Sequence, residues 1–302
     1  MINKFSLLIS LFLVWGIISA QEKTSLKVMT YNIWNGFEWG KDKDRKADYL
    51  HWMKAQKCHV IALQELCGYT PEKLKEDARK LGHDYSVLLK TSGYPVGLTS
   101  KYPIEIKERI MDGMGHGALH CVTKGIDFIV VHLHPGSIKR RREETKILLN
   151  KLVSVAKNNS NYLVLGDFNA HSPFDADKYD ADGVLLNRYR ERNKGKGLDG
   201  NIVNNYFDYS VISSFLSIQL EDVVQKHTDG ILQRGSFPTR VFESEDEKLA
   251  LKQAATYMER IDYILASPQL APQCIKAQVC NGKENWFLSD HYPVIAEFMF
   301  DK

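Results

Sequence analysis

The chain has 302 residues, with 40 Lys and Arg against 37 Asp and Glu, a formal net charge of +3. That balance is too even to mark a nucleic-acid binder by bulk electrostatic field alone. An apolar share of 44% over this length is enough to bury one large core, and no internal repeat or low-complexity linker divides it.

Taken in chain order, the first element is a leader. Lys4 precedes the apolar run FSLLISLFLVWGIISA, which ends at Ala20 before Gln21. A positive start, an apolar stretch and a small residue at the cut describe a secretory signal peptide, and the run is short for a membrane span. Residues 1–20 are therefore expected to be removed, leaving 21–302 as a single domain, secreted or periplasmic, with no stable membrane span. Losing 1–20 takes away only Lys4 among the charged residues, leaving 39 basic against 37 acidic side chains. The five cysteines, at 58, 67, 121, 274 and 280, are an odd number with no zinc-site spacing, so they read as buried thiols with at most a bridge or so.

Strand-like and helix-like stretches then alternate, which means an α/β fold. LKVMTYNI (26–33) reads as a strand, 44–56 as a helix, and HVIALQEL (59–66) as a second strand. Thr70 caps a helix with Pro71 in its first turn and Gly82 at its end. YSVLLK and VGLTS follow as strands, and ALHCVTKGIDFIVVHLHP gives two more joined at Lys124-Gly125. Residues 139–157 form an amphipathic helix, YLVLGDFN (162–169) and RIDYILAS (260–267) are strands, and DHYPVIAEFMF closes the chain. The roughly ninety residues from Asn169 to Arg260 have weaker periodicity and are expected as loops and helices over one end of the sheets.

The strands end in polar groups. Asn32, Glu65, His132 (with His134 two residues on), Asp167 with Asn169, Asp262, and Asp290 with His291 each sit in or beside an apolar run. Carboxylates are costly there unless paired or bound to a cation. An Asp after a strand is ordinarily a turn residue and a lone His an ordinary half-buried one, but so many together point to a site. Phe168, between Asp167 and Asn169, should point the other way into the core.

TYNIWNG, LQE, HLHP, GDFNA, RIDYIL and SDHYPV, in this order, resemble the endonuclease/exonuclease/phosphatase superfamily with the DNase-I-like fold, in a secreted bacterial-type form. The match runs from Lys27 to about Phe300. The resemblance implies a four-layer α/β/β/α sandwich of two mixed β-sheets flanked by helices, with 21–302 as its catalytic domain. It implies hydrolysis of a phosphoester with a divalent metal, Mg²⁺ first and Mn²⁺ or Ca²⁺ as alternatives. Glu65 would be the principal metal ligand, with Asn32 beside it and Asp290 at or next to the ion. Asp167 would orient or deprotonate the attacking water, held by Asn169. His291 and Asp262 would form a His–carboxylate pair, and His132 would donate to a phosphate oxygen. Which of Asp167 and His291 is the base stays open. The chemistry asks for the same groups independently: an anionic ester needs its charge neutralised and its water activated, and hard oxygen ligands suit Mg²⁺.

His132, His134 and Asn169 are the expected substrate contacts, although His134 equally begins the turn at Pro135. His116, in a Gly-flanked loop, reads as a surface loop residue first and a ligand contact second. The Asp-rich FDADKYDADG lacks the spacing of an EF-hand loop and reads as turn chemistry. Arg188, Arg190, Arg192, Lys194 and Lys196 are either a phosphate-attracting patch or a solvated helix face.

Balanced charge, and a long segment able to wall in a small substrate, favour a small or lipid-linked phosphoester. A secreted nuclease acting on DNA or RNA is the alternative, and it would need a basic, aromatic groove where the sequence shows only short basic clusters. A sphingomyelinase-like lipid phosphodiesterase is a further alternative, with Trp34, Trp39 and Tyr94 as a membrane-facing rim. A catalytically dead binding module is disfavoured, since every expected catalytic residue is present. The protein is expected to be a monomer.

Overall fold

A computed structural model of the chain describes residues 23–181, 183–194, 200–242 and 257–301. The expected signal peptide lies outside the described residues. The strands in chain order are β1 (Lys23–Asn32), β2 (Val60–Gln64), β3 (Tyr85–Leu88), β4 (Gly97–Ser100), β5 (Ile104–Ile110), β6 (Ala118–Thr123), β7 (Ile126–His132) and β8 (Tyr162–Asp167). They continue with β9 (Ile202–Val203), β10 (Tyr206–Phe207), β11 (Glu221–Asp222), β12 (Asp262–Ala266), β13 (Cys274–Val279) and β14 (Val294–Asp301).

Two six-stranded mixed sheets result, ordered β13-β14-β1-β2-β4-β3 and β11-β12-β8-β7-β6-β5, with β9 and β10 as a separate small hairpin. The pairs β1–β2 and β7–β8 are parallel and the other neighbours antiparallel. Side-chain alternation explains the layering. On β7, Phe128 and Val130 join Val28, Ala62 and Leu98 of the first sheet in the core between the sheets. Ile129 and Val131 face the opposite way, onto the helix Ile138–Asn158 and the helix Ser210–Ser217. The outer face of the first sheet, Met29, Tyr31, Ile61 and Leu63, is covered by the helices Lys43–Ala55 and Pro71–Lys80. The order is α/β/β/α. Each fully buried Leu, Val or Phe contributes about 1.5–3 kcal/mol, so three apolar layers hold the two sheets in fixed relation.

Local chemistry agrees with the elements. Thr70 accepts from the Lys73 N–H and Asp42 from the Arg45 N–H, each capping its helix. Lys124 and Gly125 both have positive φ, 51° and 73°, the two-residue hairpin turn that links β6 to β7.

The Asn169–Arg260 segment departs from the expectation in two respects. Its apolar stretch, the helix Ser210–Ser217, forms part of the outer helical layer of the second sheet. A smaller cluster around Tyr179, Leu185, Tyr189, Ile202 and Phe207 holds much of the rest. Asp175 is not a turn residue: it is fully buried and paired with Arg234 and Arg260, and Arg260 also pairs with Asp222. The arginines of the basic cluster lie over rings, Arg188 on Tyr257, Arg190 on Tyr206 and Arg192 on Tyr189, and Lys194 pairs with Glu191. Lys196 lies outside the described residues. All five cysteines are free and none is bridged; burial pushes the Cys58, Cys67 and Cys121 thiols up to about 12. Among the described residues no helix is long and apolar enough to cross a membrane.

Candidate active site

Strand register gathers the polar ends at one end of the sandwich. Asn32 closes β1, paired through the parallel register with Gln64 at the end of β2, and Glu65 follows directly. In the second sheet His132 is level with Asp167, and Asp167 is level with Asp262 across the antiparallel pair. Gly166 permits this. A Cβ there would lie 2.0 Å from the Val131 carbonyl oxygen, and its φ of 143° is open only to glycine, so β8 can approach β7 one residue before its carboxylate.

These groups converge on a cavity of about 310 Å³ lined by Glu65, His132, Asp167, Asn169, Asp290 and His291, with Trp34, Tyr94 and His116 on its walls. His291 Nδ1 is 2.8 Å from Asp262 Oδ2, and its Nε2 is 3.8 Å from Asp167 Oδ2. His132 Nε2 is 3.5 Å from the same Asp167 oxygen and 4.0 Å from Glu65 Oε1. The Asn169 N–H donates to Asp167 Oδ1 at 2.8 Å.

The electrostatics divide the groups. Burial alone would strip the His291 proton, but Asp262, Asp290 and Asp167 outweigh it and hold the imidazole well above its ordinary range. Burial, then Asp262, lifts Asp167 to about 8, against the lowering effects of His291 and the Asn169 and Asn32 hydrogen bonds. Burial, with Glu65 and Asp262 adding to it, raises Asp290 to about 6 although His291 lowers it. His132 goes the other way: burial and the neighbouring His116 and His291 push it well below the usual value.

The donors fit a hard divalent cation. Glu65 and Asp290 are carboxylates on one cavity, and the Glu65 charge makes ionising Asp290 harder, a repulsion that a cation between them would relieve. Asp167, Asp262 and His291 also offer ligand atoms within 4.8 Å of one another. That trio is already bonded internally through the His291–Asp262 hydrogen bond, and Asp262 does not line the cavity.

Three of the expected residues acquire definite partners. Asn32, expected beside the ion, accepts at Oδ1 from the Trp34 N–H at 3.0 Å. Its Nδ2 donates to Asp167 Oδ2 at 3.1 Å and to Glu65 Oε1 at 3.3 Å. Asn32 is a strut between two carboxylates. His134 was expected as a substrate contact, but β7 ends at His132 and His134 does not line the cavity. Its N–H goes to Glu144 Oε2 at 2.8 Å and its Nδ1 accepts from Gly136 at 3.1 Å, which is turn chemistry. Asn169 lines the cavity, but it fixes Asp167 through its backbone, and its side chain donates to the Leu133 carbonyl at 3.0 Å.

Sequence reasoning underrated His116. Its ring stacks on His132 at 4.3 Å and 21°, and burial, then Lys90 and His134, hold it down to about 4. Asn35 was missed altogether: its N–H donates to Glu65 Oε2 at 2.7 Å. Asn35–Trp39 is wound left-handed, with φ between 50° and 59°, and only glycine fits at Gly36, where a Cβ would meet the Cys67 carbonyl at 2.1 Å. Arg45 braces the turn, its guanidinium 4.9 Å from the Trp34 ring and 4.8 Å from Phe37, donating to the carbonyls of Ile33, Trp34 and Leu288. The two glycines of WNGFEWG are the only sequence hint of it. Phe168 does point away, fully buried against Phe215 and Tyr263.

Two facing mixed sheets with a carboxylate–histidine cavity at one end define a DNase-I-like sandwich. The Endonuclease/Exonuclease/phosphatase family pattern matches residues 29–291, and the chain belongs to that family. An AP endonuclease from Archaeoglobus fulgidus is similar in fold, at 19% identity and TM-score 0.64, over 90% of this chain and 99% of that one. So is a 3'-5' exonuclease from Neisseria meningitidis, at 17% identity and TM-score 0.62, over 90% and 99%. A family protein from Bacteroides thetaiotaomicron is 17% identical with TM-score 0.57, over 93% and 100%. No curated protein matches the chain.

Proposed function

We propose that the protein is an exported phosphoesterase that hydrolyses a phosphodiester or phosphomonoester by in-line attack of water, with Mg²⁺ as the first choice of metal. The observation that carries this reading is the convergence of Glu65, Asp167, Asp290, His132 and the His291–Asp262 pair on one cavity from strands far apart in sequence.

Glu65 and Asp290 would hold the divalent cation, which when bound would neutralise phosphate charge and polarise the ester. Asp167 is the base this geometry favours. It is fixed by the Asn169 N–H and by Asn32, and its raised basicity suits taking a proton from water near neutral pH. His291 is held charged, so it is a donor to a phosphate oxygen and a poor base. Asp262 keeps its Nε2 turned to the cavity. His132, neutral, offers a hydrogen bond without adding charge.

A nuclease is the second reading, supported by the DNA-directed names of the structural neighbours, one of which holds a product DNA hairpin. Against it stand the balanced charge and arginines already engaged with rings. The test is turnover with Mg²⁺ and with EDTA on plasmid DNA, RNA, bis-p-nitrophenyl phosphate, p-nitrophenyl phosphate, sphingomyelin and inositol phosphates. Metal-dependent hydrolysis abolished by Asp167→Ala supports the assignment, and activity untouched by that change removes it. Plasmid nicking far faster than the small esters would make the protein a nuclease. For export, the apolar run before Gln21 is the support, and secreted protein with Gln21 at its N-terminus is the expected result.

A further inference from the structure

Beside the catalytic cavity lies a second chamber of about 290 Å³ that shares Pro135, Asn169 and His291 with it. Its size sits at the lower end for ligand pockets, with room for a ring but not for a long chain. The lining chemistry is specific. Glu259 is buried, and its Oε2 accepts from the Tyr189 hydroxyl at 2.6 Å and from His171 Nε2 at 2.7 Å. Among the described residues, the amides of Asn193 and Asn201 and the rings of Tyr189 and Phe237 also line it, with the exposed Arg192 beside them. Asn201 is itself held in place, its Oδ1 accepting from Arg141 at 2.7 Å.

We infer that this chamber is the subsite for a neutral, hydroxyl-rich substituent of the phosphoester, a polyol or simple sugar ring as distinct from a nucleoside. The argument is one of elimination by charge and polarity. A second phosphate, although Arg192 and His291 border the chamber, would be set against the buried Glu259 carboxylate. An ammonium would be set against the Arg192 guanidinium. A hydrocarbon chain would strip water from a carboxylate and two amides and return no hydrogen bonds. Hydroxyl groups both donate and accept, so they can meet Glu259 and the asparagine amides together, while the C–H faces of a ring rest on Tyr189 and Phe237. The proposed phosphate chemistry uses none of Glu259, Asn193 or Arg192.

The inference rests on the phosphoesterase reading for its substrate, and the test separates the two. Hydrolysis is compared for p-nitrophenyl phosphate esters whose second substituent is myo-inositol, choline, thymidine through its 5′ oxygen, or absent. The leaving group is then constant, and kcat/KM reports the retained substituent. The expected result is a preference of about tenfold or more for the inositol ester over the choline ester. Glu259→Gln and Asn193→Ala should each lower kcat/KM for the inositol ester about tenfold, mainly through KM, and leave unsubstituted p-nitrophenyl phosphate unchanged. A preference for the choline or thymidine ester, or an equal fall for all four esters in the Asn193→Ala variant, overturns the inference. Asn193 is only half-buried, so that variant keeps the test decisive if Glu259→Gln fails to fold. If no ester is hydrolysed the phosphoesterase reading fails, and saturation-transfer NMR with free myo-inositol still decides the chamber. Transfer lost in Asn193→Ala upholds the subsite, and absence of transfer in the wild-type protein removes it.

Discussion

Asp167 and Asp262 stand directly opposite each other on neighbouring antiparallel strands, and the His291 ring spans them, Nδ1 at 2.8 Å from one and Nε2 at 3.8 Å from the other. Like charges opposed across a sheet are unfavourable, so the imidazolium is what makes the pair tolerable. Asp262→Asn should therefore lower kcat by roughly 10²–10⁴, by analogy with the loss of an orienting carboxylate behind a histidine. Steady-state kinetics and a circular dichroism spectrum check it. Near wild-type kcat in a folded variant would mean that Asp262 does not govern His291.

Gly166→Ala tests the close approach of β8 to β7. A Cβ 2.0 Å from the Val131 carbonyl cannot be accommodated without moving the strand, and Asp167 is the next residue. The variant should lose about 1–3 kcal/mol of stability and a larger share of activity than the stability loss explains. Activity assayed well below the variant's melting temperature gives the answer, and full activity there would show that Asp167 has slack.

The buried ion network at Asp175 should dominate the stability of the long segment before β12. Asp175 and Arg260 are fully buried, so among the described residues Asp175→Ala leaves Arg260 paired with Asp222 and Arg234 bonded to the Phe174 carbonyl. The expected loss is about 3–5 kcal/mol, read by urea denaturation. A loss under about 1 kcal/mol would mean the segment is held by its apolar cluster instead.

His83 gives a pH dependence far from the site. It is buried, with Nδ1 2.8 Å from Thr99 Oγ1 and Nε2 3.0 Å from the Cys58 carbonyl oxygen. Burial first, with Lys101 and His59 adding to it, lowers its pKa. The folded state thus keeps the ring neutral, while an unfolded histidine takes a proton near about 6.5. Between the folded value and about 6.5 the unfolded chain binds more protons, so stability from this group falls as the medium is acidified and is flat above that range. His83→Gln should flatten the wild-type fall in unfolding free energy between about pH 7 and pH 5. An identical slope in both proteins would show that His83 does not contribute.

The sequence was most legible where local and global signals agree. Apolar runs ending in single polar groups marked β1, β2, β7, β8 and β12, and Thr70-Pro71 marked its helix. β5 and β13 passed unnoticed because they are edge strands with mostly polar, exposed positions and no apolar run to betray them. In the site, residue types were readable but orientations were not. Nothing in the sequence says which way the Asn32 amide turns, nor that β7 stops before His134. His116 became visible only through its stack on His132, a contact between residues whose sequence spacing carries no periodic signal. Asp175 looked like turn chemistry because its partners, Arg234 and Arg260, lie far along the chain.

The free thiols have a consequence for how this fold is held. Nothing in its described architecture waits for a covalent fastening, so its layers are held by burial, hydrogen bonds and buried ion pairs. The three most deeply protonated thiols have little reactive thiolate to exchange with a partner. The melting behaviour of the protein should therefore be indifferent to added reductant.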